Sequence, residues 1–172
     1  MSKSKIVGMM VLIVFAMGIL LVGDVVAGEK FKGRTVTYTT KWQPIEVGDE
    51  DGHVVAVYES RGISTNLDGK RFLDGCPLRE TGLVDINLKT GLGSGHGYGD
   101  WTDRDGSKNY YTWKGKLLKG GKFGTGYWDA VWTIVKGTGK FEGIKAEGTA
   151  SGYFVAPGQQ YNDWEVEVEL PR

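Results

Sequence analysis

Trp164-Glu165-Val166-Glu167-Val168-Glu169-Leu170 alternates without a fault, apolar residues on the even positions and glutamates on the odd ones. Successive side chains of an extended chain point to opposite faces, so this stretch has one apolar and one acidic face. That describes an antiparallel strand with one side in a core and the other in water.

Runs of the same period precede it at 35–42, 54–62, 83–88, 95–101, 109–117, 128–135 and 146–155, which with the last makes about eight strands. No helical period competes with them after residue 28. The breaks carry turn chemistry: Asp51-Gly52, Asp68-Gly69, Asp74-Gly75, Asp105-Gly106, Gly120-Gly121 and Pro157-Gly158. The chain therefore reads as all-β, an antiparallel barrel of about eight strands, with a β-sandwich as the alternative. Closure is favoured because it removes exposed edges, and a barrel of this size is either filled by side chains or holds one small ligand.

One segment carries a bare stripe. Gly91, Gly93, Gly95, Gly97 and Gly99 share one face of an extended chain, with Leu92, Ser94, His96, Tyr98 and Asp100 on the other. Such a stripe lets a strand bend sharply, or lets a ring or ligand approach the backbone.

The N-terminus reads differently. Lys3 and Lys5 precede an apolar run from Ile6 to Val22, and Val25-Val26-Ala27 supplies a cut site after Ala27. This is the pattern of a helical secretory signal peptide over 1–27, with a retained membrane anchor as the rival. Residues 28–172 then form a single barrel domain, exported to a periplasm or the extracellular space, with no membrane contact after cleavage. This part holds 19 basic and 20 acidic side chains, a balance that gives no footing for nucleic acid. Cys76, the single cysteine, is a buried thiol, an intermolecular partner or a reactive group.

The stretch Gly137-Thr138-Gly139-Lys140-Phe141-Glu142-Gly143 resembles the Gly-x-Gly-x-Phe-x-Gly segment of the allene oxide cyclase-like and dirigent-like β-barrels. The block 95–113, with its Asp103-Arg104-Asp105-Gly106 turn, resembles bacterial secreted proteins of that type. The resemblance implies a β-barrel. For activity it implies steric moulding of a reactive fatty-acid epoxide in an apolar cavity, with Glu59, Glu80 or Glu147 as the buried carboxylate. It assigns no catalytic residue.

Other chemistry fails on spacing. Lys140 is followed by Phe141 where a phosphate loop needs Ser or Thr. Asp100, Asp103 and Asp105 miss the EF-hand register, as do Asp49, Glu50 and Asp51, and a solvated turn explains both clusters. His53, Cys76 and His96 have no zinc-type spacing, and Ser94 lacks the nucleophile elbow. No cofactor or metal motif is left. The abundant aromatics line a cavity or fill the core, and Tyr98, Trp113, Trp128, Trp132 and Tyr153 are the candidate ligand-binding set. The expected function is non-catalytic binding of a small apolar ligand or a partner surface. An isomerase or cyclase and a structural envelope component without a pocket are the alternatives.

Overall fold

A computed structural model describes residues 28–119 and 126–169. The signal-type segment 1–27, the Gly120-Gly121 turn and Leu170 lie outside the described residues. Eight antiparallel strands follow one another around a closed barrel: β1 (Glu29–Glu46), β2 (His53–Asn66), β3 (Cys76–Asn87), β4 (Gly93–Thr102), β5 (Lys108–Lys119), β6 (Tyr127–Gly137), β7 (Lys145–Ala156) and β8 (Gln159–Glu169). Each strand pairs with its sequence neighbour, and β8 closes on β1 from Glu29↔Val168 to Tyr38↔Gln159. The sandwich alternative is thereby set aside. Among the described residues the only helical element is a single 3-10 turn at Gly139–Phe141.

The alternation that marked β8 continues inward as a core. Trp164, Val166 and Val168 are buried and the intervening glutamates are exposed. On the outside, Glu165 pairs with Lys32 at 2.7 Å and Asp163 with Arg34 at 2.6 Å, across the closing β1–β8 ladder. These pairs are exposed and add little stability.

Inside, large rings sit against missing side chains. An added Cβ on Gly82 would lie 2.9 Å from Trp113 Cζ2, one on Gly97 2.7 Å from Trp113 Nε1, and one on Gly148 2.6 Å from Trp132 Cε2. The glycine stripe of β4 therefore faces the interior, and the volume it leaves is taken by tryptophan and tyrosine rings of the neighbouring strands. Trp101 stacks on Tyr111 with centroids 4.0 Å apart, and Trp132 meets Trp101 edge-on at 5.3 Å.

One end of the barrel is plugged. The β2–β3 connection folds beneath it and inserts Phe72 and Leu73, and the β6–β7 connection adds Phe141 and Ile144. Phe72 lies 4.7 Å from Phe31 and meets Phe141 and Trp164 nearly perpendicularly. Leu73 is fully buried and holds a left-handed backbone, φ 56°, a conformation tolerated because the packing around it over-determines it. Cys76 belongs to this plug as a buried thiol, and burial pushes its pKa up to about 11, which makes it a poor nucleophile.

Aspartates of the β4–β5 turn and of the end of β4 are engaged by cations of the chain itself. Asp103 pairs with Lys140 at 2.7 Å, and Asp100 with Lys108 at 3.1 Å.

Candidate functional site

The opposite end is built otherwise. Among the described residues, an apolar cavity of about 280 Å³ opens there between the ends of the strands. Trp42, Tyr58, Trp113, Trp128, Val84, Ile86, Leu117 and Phe154 form its walls, with Thr39, Ser60 and Gln160 as polar points.

Trp42 reaches the interior through an irregularity. Thr35, Thr37 and Thr39 face inward on odd positions, and a register shift between Thr39 and Lys41 changes the phase so that Trp42 pairs with inward Tyr58. A bulge of this kind re-aims a side chain.

Below the cavity, Trp113 and Trp128 stand edge to face with centroids 5.5 Å apart and border a second, inner pocket of about 40 Å³. Thr37, Glu80, Trp101, Tyr111 and Asn162 also line it. Among the described residues, Glu80 is the single ionisable acid or base on the walls of the two pockets, the tyrosines aside. Its Oε1 accepts the Tyr58 hydroxyl at 2.6 Å and its Oε2 the Tyr111 hydroxyl at 2.7 Å. Desolvation raises the carboxyl above its ordinary value even though both hydroxyls favour the charged form, and it drives both phenols well above theirs. Glu80 is enclosed by the barrel wall, and by accessible surface it is still only part-buried, as expected for a side chain bordering a pocket.

Three of the polar atoms on the inner pocket's residues, Thr37 Oγ1, Trp101 Nε1 and Trp113 Nε1, are buried without a hydrogen-bond partner. Asn162 Oδ1 accepts the Trp128 indole N–H at 3.0 Å.

The structure divides the candidate set. Trp113 and Trp128 line both pockets and Trp132 lines the inner one. Tyr98 and Tyr153 do not line either: they are 64% and 44% exposed on the outer surface. Their chain neighbours, Gly97 and Gly99 for one, Gly152 and Phe154 for the other, take the inward positions. Tyr153 instead joins an outer aromatic ladder, 5.0 Å from Tyr127 and 5.4 Å from Tyr161, with the Arg34 guanidinium 4.6 Å over the Tyr161 ring. Of the three glutamates, Glu80 alone is inside. Glu59 and Glu147 are exposed, Glu59 beside Lys41 at 3.4 Å.

His53, Cys76 and His96 do not converge: Cys76 is in the plug, His96 is exposed on the outer face, and His53 bridges Asp49 at 2.5 Å and Asp85 at 2.7 Å near the open rim. Hydrogen bonds to Asp85 and Asp49 raise the imidazole pKa, so this clasp strengthens with protonation. Among the described residues no cluster of metal-binding side chains occurs.

Sequence reasoning did not place Trp42, Tyr58 or Phe154 in the lining. A bulge hides the phase of Trp42, and Tyr58 lies in a run where every second residue is apolar, whatever lies inside. No protein-family model and no curated protein matches this chain.

Proposed function

We propose that this protein binds a small, largely apolar molecule in the open half of its barrel. The observation that carries the reading is the cavity of about 280 Å³, walled by tryptophan, tyrosine and aliphatic side chains and open at one end. Its size is near the lower limit of small-molecule sites, and few polar groups interrupt its walls. Removing an apolar guest from water supplies the affinity, and Thr39, Ser60 and Gln160 orient it. The signal-type pattern of residues 1–27 extends the proposal to an exported protein, and a chain recovered with Met1 in place outside the cytoplasm would refute cleavage.

The test uses phenylnaphthylamine, a neutral fluorophore excited by energy transfer from tryptophan. Saturable transfer is expected in the native protein. Val84→Phe, which adds a ring within the cavity, is expected to weaken binding at least about tenfold with the fold retained. Unsaturable transfer, or identical binding by Val84→Phe, ends the reading.

Catalysis by moulding is the second reading, and Glu80 favours it, since the resemblance to allene oxide cyclase-like barrels requires a carboxylate inside the cavity. Incubation with a fatty-acid allene oxide is the check. A product distribution identical to that of the spontaneous reaction in buffer would remove it.

A further inference from the structure

Deepening the cavity reading, and resting on it, we infer that the preferred guest is an apolar primary amine whose ammonium group occupies the inner pocket beside Glu80. Three features of the lumen converge on this chemistry. Glu80 places one carboxyl group there, with no lysine, arginine or histidine among the described residues on the walls of either pocket. Two phenolic hydroxyls are its hydrogen-bond partners, so its charge is solvated by the protein and not neutralised by it. A desolvated carboxylate without a counter-charge is costly, and a cation brought by the guest removes that cost.

The walls favour the same charge. Trp113 and Trp128 border both pockets, Trp101 and Trp132 border the inner one, and the electron-rich faces of such rings attract cations. Size sets the head group: about 40 Å³ admits a group as small as water, so an ammonium fits and a trimethylammonium does not. An ammonium also has three donors to place. Beside the carboxylate, the buried and unpartnered Thr37 Oγ1 and the Asn162 side-chain oxygen are acceptors on the same wall. The apolar body of the guest then fills the larger cavity above. Trp101 Nε1 and Trp113 Nε1, the other unpartnered atoms of this lining, are donors and favour a neutral oxygen head group, which defines the competing outcome.

Phenethylamine, phenethyl alcohol and ethylbenzene, matched in shape, separate the cases by titration calorimetry on the native protein. The amine is expected to bind at least about tenfold tighter than either neutral probe, equivalent to about 1.4 kcal/mol. Its affinity is expected to rise with pH as Glu80 loses its proton, while the affinities of the neutral probes stay level. Tyr58 on β2 and Tyr111 on β5, the titratable groups bonded to Glu80, remain protonated in that range. Glu80→Gln is expected to abolish the preference and leave ethylbenzene binding intact. Alcohol binding as tight as the amine, or a pH-independent amine affinity in the native protein, overturns the inference while the cavity reading stands. Failure of all three probes overturns both.

Discussion

The two ends of this barrel are made from the same eight strands and differ in what lies between them. At the closed end the long connections turn inward and bury Phe72, Leu73, Phe141 and Ile144 beneath the sheet. At the other end, among the described residues, Gly158 in the β7–β8 turn and Gln160 at the start of β8 border the cavity, which keeps its space. A small domain needs its interior filled to be stable, and an empty region forfeits packing energy. The contrast teaches that stability is concentrated in one half, which frees the other to hold a guest.

Truncation on either side is the strongest way to break this comparison. Phe72→Ala removes a ring touching three others and is expected to cost about 3 to 5 kcal/mol in urea unfolding. Phe154→Ala, at the half-filled end, is expected to cost about 1 kcal/mol, because a ring beside a cavity has fewer neighbours to lose. Equal losses would erase the distinction.

A smaller effect sharpens the boundary between the halves. Gly148→Ala places a methyl group against the Trp132 ring and is expected to cost about 1 to 3 kcal/mol. Trp132→Phe shortens that ring, so the double variant should recover part of the loss, and strict additivity would show that the glycine does not seat the indole.

The smallest expected effect comes from Glu80, at the junction. Its pKa is raised in the folded state, so the native protein holds this proton more tightly than the unfolded chain does. The resulting stability is complete below the ordinary value of 4.5 and is lost as pH climbs through the raised native value. Comparing unfolding curves of the native protein and Glu80→Gln across that window should show a falling contribution in the first that is missing in the second.

Much of the architecture was legible because one physical rule generates it. Alternation at Trp164, Val166 and Val168 marked the last strand, and each of the eight segments read from the sequence lands on an observed strand, with Leu88 one residue past the end of β3 and Leu170 outside the described residues. The rule lost sight of Cys76–Gly82, the first half of β3, where Glu80 and Gly82 take inward positions that an apolar pattern reserves for hydrophobic residues. The exception coincides with the one acid, among the described residues, on the walls of the two pockets.

The site was less legible for a related reason. Inward volume on β4 is supplied by rings from other strands, so glycines face the core and Tyr98 faces solvent. Aromatic content therefore signalled a ring-filled interior without telling which rings were in it. Trp113, Trp128 and Trp132 sit opposite small residues and point inward, whereas Tyr153 follows Gly152 and points out.

The β1–β8 ladder has a temporal consequence. Glu29 and Val168 stand side by side, so the ring of strands can be joined only after the chain has been made as far as β8. Until β8 arrives, β1 and β7 are raw borders able to pair with strands of other molecules. Joining such distant segments makes folding slow compared with that of helical domains of the same length. The final eleven-residue strand is thus the latch, and a chain stalled just before it would be a sheet searching for a neighbour.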